Sequence, residues 1–155
     1  MNKIRKELKV SAIENGTVID HIPTKNVFQV IRILNLDNIE NQVLFSTNLD
    51  SKKFGRKGLI KVRDKYFDPE EINKIALVAP SATLIEIENF KVRLKKSIEI
   101  PKQIFKFVKC VNPNCITNYE NITTKFDVSI DDNGDIKLWC KYCDKYTAKD
   151  NIVFI

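Results

Sequence analysis

The chain has 155 residues, with 26 Lys and Arg against 20 Asp and Glu, one His, four Cys and a hydrophobic fraction of 43%. No run of about 18 apolar residues occurs, and the basic N-terminus lacks an apolar core and a cleavage site, so we expect neither a membrane protein nor a secreted one but a cytoplasmic protein. The hydrophobic fraction is too high for a disordered chain, and the length suits one ordinary domain or two small ones.

The first predicted elements are a hairpin and a helix. Residues 7–14 and 17–22 are β-prone and flank Asn15-Gly16, which suits a tight turn because both positions tolerate positive φ. Pro23 separates this hairpin from a predicted helix. The helix carries an apolar face at helical spacing, formed by Val27, Val30, Ile31 and Leu34.

Two strands, a second helix and a second hairpin follow. The strands are predicted at residues 42–48 and 58–63, and the stretch 68–71 (DPEE) predicts a helix start with an N-cap Asp, a Pro at the first helical position and a Glu at N3. Pro80 ends this helix. The apolar alternation then shifts by one residue near Glu88–Asn89, which indicates a turn or bulge. The element order predicts an α+β fold: an N-terminal antiparallel sheet with two helices (ferredoxin-like).

Cysteine placement divides the chain, because the first 109 residues contain none and the last 46 contain all four. The pairs Cys110-x4-Cys115 and Cys140-x2-Cys143 flank a predicted hairpin around residues 131–134. Two short-spaced pairs brought together by a hairpin supply the four thiolates of a tetrahedral site. We predict one structural Zn²⁺ per chain in a small all-β domain. Sulfur ligands alone do not separate zinc from iron, and disulfides would need an oxidising compartment.

A boundary near Pro101 divides the chain into residues 1–100 and 101–155. Four cysteines saturate a tetrahedral ion and leave no position for water, so the metal should support folding rather than catalysis. Residues 101–155 contain no Arg and have a net charge of only +1, from 8 basic and 7 acidic side chains. Phosphate binding needs clustered Lys and Arg, so protein docking is the better prediction for this region.

The excess positive charge lies in residues 1–100, which carry 18 basic and 13 acidic side chains, a net charge of +5. Lys57, Lys61 and Lys95 fall in different predicted strands or their approaches and could converge on a polyphosphate. Asp20, beside the single His21, could accept hydrogen bonds from ribose hydroxyls. No Walker-type glycine loop and no nucleophile–base constellation occurs, so we do not expect an enzyme. Taken alone, each lysine is more often a solvated surface residue than a ligand contact.

The motifs GTVIDHIP (16–23), GRKGLIKV (55–62) and DPEE (68–71), followed by the four-cysteine module, occur in an order that resembles the regulatory chain of aspartate carbamoyltransferase. The resemblance runs from about residue 8 to the end. It implies a non-catalytic subunit in pyrimidine biosynthesis, with an N-terminal allosteric domain at 1–100 and a C-terminal zinc domain at 101–155.

The same resemblance implies particular ligands and partners. The allosteric domain would bind nucleoside triphosphates, with CTP and UTP as inhibitors and ATP as activator. Regulatory homodimers would bridge catalytic trimers, and the zinc domain would contact the catalytic chains of aspartate carbamoyltransferase. No nucleic-acid or membrane partner is implied.

The resemblance also assigns roles to single residues. Asp20 and Lys61 would meet the ribose, Lys95 the phosphates with His21 nearby, and Lys57 a second nucleotide. The residues implied to line the base pocket are Ser11, Ala12, Ile13, Phe90 and Val92. Those implied to face the catalytic chain are Asn112, Asn114 and Lys145.

Two other readings compete with a regulatory subunit. A zinc-ribbon nucleic-acid-binding protein would agree with the high pI of 9.1, but it predicts basic residues beside the cysteines and a steep salt dependence of affinity. A free-standing enzyme is disfavoured by the saturated metal site and the solitary histidine.

Overall fold

The computed structural model describes residues 12–52 and 55–155, which divide into two compact units. The first unit holds the described residues up to Asp68 together with Ser81–Ile98, and the second holds Pro69–Pro80 together with Glu99–Ile155. The assignment of nucleotide binding to residues 1–100, and of metal binding and docking to 101–155, remains a prediction about function. None of the helices in the described residues has the length and apolar character needed to cross a lipid bilayer.

The first unit is built on a five-stranded antiparallel sheet. Its elements are β1 (Gly16–Ile22), α1 (Val27–Ile33), β2 (Val43–Ser51), β3 (Gly55–Arg63), β4 (Thr83–Glu88) and β5 (Lys91–Ser97). The strand order is β2-β3-β1-β4-β5. With β1 between β3 and β4, the first four strands have the order of a split βαβ sheet, which confirms the predicted ferredoxin-like α+β fold.

Only part of the predicted opening hairpin falls within the described residues. Residues 7–11 lie outside the described residues, and residues 12–14 do not form the predicted strand. Gly16 begins β1 with a φ of 141°, and a Cβ there would lie 2.1 Å from the carbonyl oxygen of Val62. The close approach of β3 therefore explains this glycine, since any side chain would collide with that backbone.

One face of the sheet forms the core of the first unit. The fully buried side chains on this face include Thr17, Ile19, Ile60, Val62 and Leu84. Helix α1 packs near β2 and β3. Three of the four predicted core positions are buried: Val27, Val30 and Leu34, which directly follows the helix. Ile31 is half-buried. Alternation along each strand turns the neighbouring side chains to the opposite face, which carries the candidate anion site.

The β4–β5 hairpin explains the shift in apolar alternation. Asn89 and Phe90 form its two-residue turn, with φ values of 52° and 64°. Pairing then skips Arg93, because Glu86 pairs with Leu94 while Ile87 pairs with Val92. The prediction of a turn or a bulge near Glu88–Asn89 is therefore confirmed, and the hairpin contains both.

The second unit combines one helix with short strands. Its elements are α2 (Pro69–Val78), β6 (Gln103–Phe105), β7 (Val108–Lys109), β8 (Lys125–Ile130), β9 (Ile136–Cys140), β10 (Tyr146–Ala148) and β11 (Val153–Phe154). Pro69 is the first helical residue, as predicted. The sheet order is β10-β9-β8-β6, and β7 pairs with β11. Leu77, Phe126 and Leu138 pack with the buried cysteines in one apolar cluster.

Candidate metal centre and cationic face

The four cysteine sulfurs converge at one point of the second unit, and we call them the sulfur cluster. All four Sγ atoms lie within 4.8 Å of one another. The Cys110–Cys143 and Cys115–Cys140 Sγ distances are 3.7 Å and 3.8 Å. In a tetrahedral site with metal–sulfur bonds of about 2.3 Å, neighbouring sulfurs are about 3.8 Å apart. The donor set and its spacing therefore fit a tetrahedral thiophilic ion.

The loops that carry the cysteines are closed by backbone hydrogen bonds. The N–H of Cys115 donates to the carbonyl of Asn112 at 3.1 Å, and the N–H of Asp144 donates to that of Cys140 at 2.9 Å. The amide Nδ2 of Asn118 donates to the carbonyls of both Cys110 and Asn112, at 3.0 and 2.7 Å. Asn118 was not predicted, although an amide side chain three residues after the second cysteine is the kind of residue that closes such a loop by hydrogen bonds.

The thiols differ in how readily they ionise. Burial is the first reason that the pKa of Cys110 and that of Cys140 lie above the usual thiol range. For Cys143, burial also raises the pKa, but hydrogen bonds from the Asn112 side chain and from the backbone N–H of Lys145 outweigh it and lower the pKa to about 7. A bound metal ion would displace the thiol protons, and these N–H donors would then stabilise the thiolates.

The three predicted interface residues lie beside the sulfur cluster. Asn112 is half-buried, and its Oδ1 accepts a hydrogen bond from the N–H of Asn114 at 3.1 Å. Asn114 and Lys145 are exposed. Asn112 therefore has a role in shaping the loop, while contact of these residues with a catalytic chain remains a prediction.

The second candidate site lies on the outer face of the five-stranded sheet. Strand register aligns Lys61 of β3, Val18 of β1, Ile85 of β4 and Lys95 of β5 in one row. Directly paired residues of neighbouring strands share a face. We call this surface, which carries Asp20, Lys57, Lys61 and Lys95, the cationic face.

Asp20 lies at the centre of the polar contacts on this face. The Lys57 Nζ is 2.8 Å from its Oδ1, which also accepts the backbone N–H of His21 at 2.7 Å. The side chains of Asp20 and Lys57 are only 16% and 19% exposed. The His21 ring Nδ1 is 3.1 Å from the hydroxyl of Thr83. Thr83 was not predicted, because a threonine inside a strand carries no functional signal of its own.

Lys61 is the buried member of the cationic face, with 8% of its surface exposed. Burial lowers the pKa of its ammonium group, since the charged form loses solvation. An anionic ligand beside this ammonium group would offset that loss. Lys95, on the edge strand, is exposed.

The predicted base-pocket residues lie near the β4–β5 turn. The N–H of Phe90 donates to the carbonyl of Glu14 at 2.9 Å, which brings the described segment at Ala12 and Ile13 beside the turn. Ile13 is buried and Ala12 exposed, while Phe90 and Val92 are 65% and 61% exposed. Ser11 lies outside the described residues.

Comparison with known proteins gives consistent matches. The family described as aspartate carbamoyltransferase regulatory chain, allosteric domain, matches residues 8–99, and the metal binding domain of the same chain matches residues 102–153. A regulatory chain from Pyrococcus horikoshii is 51% identical over 149 residues, covering 95% of this chain and 97% of the relative. One from Bacteroides fragilis is 44% identical over 155 residues and covers both chains fully. One from Thermococcus sibiricus is 48% identical over 148 residues, 96% of each chain.

Proposed function

The chain belongs to the family of aspartate carbamoyltransferase regulatory chains, and we propose from this premise that it binds nucleoside triphosphates on the cationic face and docks on catalytic chains through a zinc-bound second region. It is a regulatory, non-catalytic subunit with allosteric and metal-binding domains. The observation that carries the proposal is the pairing of two separate sites: a cationic sheet face in one unit and a sulfur cluster in the other. Allostery requires two such sites.

The nucleotide proposal rests on complementary chemistry along the cationic face. Asp20 can accept hydrogen bonds from ribose hydroxyls, and Lys61 lies on the neighbouring strand of the same face. Lys95, with His21, would receive the phosphates, because an ammonium group interacts with a phosphate as a point charge. Lys57 would serve a second nucleotide.

The base would lie beside the β4–β5 turn. Phe90 and Val92 offer exposed apolar surface there, next to the segment that contains Ser11, Ala12 and Ile13. We propose CTP and UTP as inhibiting effectors and ATP as the activating one, with residues 1–100 as the effector domain. The N–H groups of Asn89 and Phe90 already donate to Asn15 and Glu14, so backbone carbonyl groups beside the turn would distinguish bases by their hydrogen-bonding edges.

We propose that the sulfur cluster holds one Zn²⁺ per chain. Three of its four cysteines are buried. Among the described residues, the group of potential metal ligands at this point consists of the four cysteines alone. Zinc in such a closed site stabilises the fold and exposes no coordination position to substrate. Residues 101–155 would therefore depend on the ion for their structure.

The docking surface would be the loops around the sulfur cluster. Asn114 and Lys145 are exposed there, and the neighbouring Val111, Ile116 and Tyr142 expose apolar surface. A mixed surface of this kind suits a protein partner, because apolar contacts supply affinity and the amide and ammonium groups supply orientation. The partner proposed is the catalytic chain of aspartate carbamoyltransferase.

A regulatory homodimer would use the β2 edge of the sheet. No described strand pairs with the outer side of β2. Leu44 and Phe45 are exposed on this strand, and the Phe45 ring packs edge-to-face against exposed Phe28 of α1, with ring centroids 5.4 Å apart. A long edge strand with apolar side chains is a template for pairing with another chain. A second copy of this chain is the proposed occupant.

Co-expression with an aspartate carbamoyltransferase catalytic chain tests the docking proposal. We expect native mass spectrometry to detect a zinc-loaded complex of both chains, and we expect a strong chelator to dissociate it. Lys145→Glu should weaken the complex, whereas Lys125→Glu, an exposed lysine on β8, should not. A complex that survives complete metal removal would refute zinc-dependent docking.

Titration of the full chain with CTP and ATP tests the nucleotide proposal separately. Calorimetry should detect saturable binding that competes between the two nucleotides and weakens with salt. Absence of binding at millimolar nucleotide would refute the effector site without affecting the docking proposal.

A further inference from the structure

We propose that Gly58 and Val27 form a size-matched pair that positions the Lys57–Asp20 ion pair from the opposite face of the sheet. The proposal rests on the nucleotide-binding function proposed above and extends it to residues that touch no ligand. Gly58 and Val27 are both buried in the first unit. They are positioning residues, since neither lies on the cationic face.

The steric fit between the two residues is tight. A Cβ built on Gly58 would lie 2.0 Å from the Cγ2 of Val27, closer than any van der Waals contact permits. Val27 cannot rotate away easily, because a β-branched side chain in a helix has one strongly preferred χ1 rotamer. Helix α1 can therefore sit at its present distance from β3 only if residue 58 lacks a side chain.

The strands on both sides of Gly58 are irregular. Register against β3 shifts between Ile19 and Ile22 on β1, and between Ser46 and Leu49 on β2. Each irregularity contains a non-glycine residue with positive φ: His21 at 58° and Asn48 at 59°. Such bulges are held by surrounding packing, because the local conformation is not the preferred one.

Gly58 links this packing to both partners of the ion pair. It directly follows Lys57 on β3, and its register partner on β1 is Ile22, which directly follows His21. The N–H of His21 in turn donates to Asp20 at 2.7 Å. An added methyl group at position 58 would push β3 from α1 and change the 2.8 Å distance between the Lys57 Nζ and Asp20.

Titration of the zinc-loaded full chain with CTP, combined with a compensating substitution, tests the pair. We expect Gly58→Ala to raise the Kd for CTP about tenfold and the double variant Val27→Ala/Gly58→Ala to return it to within about threefold of the parent. Val30→Ala is the matched control: it removes a buried valine from the same helix without relieving position 58, and should leave the Kd within about threefold. A folded Gly58→Ala protein with an unchanged Kd, or a double variant no better than Gly58→Ala, would overturn the proposal.

A readout without nucleotide separates this proposal from the proposed function. His21 is the single histidine, so its ring gives one set of NMR signals in each variant. The signals should shift in Gly58→Ala and return toward the parent position in the double variant, whether or not any nucleotide binds. If Gly58→Ala does not fold, the double variant must still fold and show parent-like His21 signals; failure of the double variant to do so would refute the pairing.

Discussion

The sulfur cluster and the cationic face are assembled in different ways. Each cysteine pair spans only a few residues, so one loop fixes two ligands and a single hairpin brings the two loops together. The cationic face takes its groups from β1, β3 and β5, and their alignment depends on the register of a five-stranded sheet. One site is defined by local spacing and the other by long-range packing.

This difference has a physical consequence for how each site fails. A closed tetrahedral site contributes a binding energy comparable to the stability of a whole small domain, so loss of the ion should abolish the local fold. The cationic face is distributed over several side chains, each worth no more than a few kcal/mol. Loss of one lysine should weaken the binding of a ligand and leave the sheet intact.

We expect metal removal to have the largest effect. The apparent binding free energy of zinc in small zinc-dependent domains is on the order of 10–16 kcal/mol. Chelation, or Cys140→Ser, should therefore unfold residues 101–155, which we call the metal region, while the five-stranded sheet persists. Trp139, the single tryptophan, precedes Cys140 and stacks on Tyr146, so its fluorescence reports the metal region. The NMR signals of His21 report the sheet.

The expected result is a red-shifted, weakened Trp139 spectrum with unchanged His21 signals. Ser129→Ala is the control within the same region, because its buried hydroxyl has no hydrogen-bond partner among the described residues. That variant should leave both signals unchanged. If the His21 signals collapsed together with the tryptophan spectrum, the two regions would not be independent in stability.

Single lysines of the cationic face should produce a smaller, purely functional effect. Lys95→Ala should weaken nucleotide binding by about 1–3 kcal/mol, or about 5–150-fold, because a charged hydrogen bond to phosphate is lost. Lys96→Ala is a matched control: the two lysines are neighbours on an exposed strand, but Lys96 pairs with Leu84 and points to the other face. Calorimetric titration of CTP into both variants measures the difference, and equal Kd values would argue against ligand contact by Lys95.

The contrast also explains what the sequence could predict. Cysteine spacing indicated the sulfur cluster, and Asp68-Pro69 indicated the start of α2, because both signals are local. The ion pair between Lys57 and Asp20 was not predicted, since it joins residues on different strands beside an irregular register. The positive φ values of His21 and Asn48 were not predicted either, because neither position carries the glycine that usually indicates such a conformation.

The shortest strands, and the unit against which helix α2 packs, could not be predicted from the sequence for a related reason. Strands β6, β7 and β10 have three residues or fewer, too few for an alternation pattern to stand out. Helix α2 was predicted from its own capping pattern, but its grouping with the second unit depends on tertiary packing of residues such as Leu77. Long-range packing of this kind leaves little trace in local composition.

The smallest expected effect is the pH dependence contributed by Lys61. Burial lowers the pKa of Lys61 in the folded protein, so below that pKa the fold carries the cost of a buried charge, and stability rises as pH rises through it. Nucleotide affinity has the opposite dependence, because it needs the ammonium form: it should fall as Lys61 deprotonates, at a lower pH than for an ordinary lysine. Lys61→Arg should remove this fall within the same pH range, since a guanidinium stays charged. Parallel CTP titrations of both proteins at rising pH measure the difference, and identical pH profiles would mean that the charge on Lys61 does not contribute to nucleotide affinity.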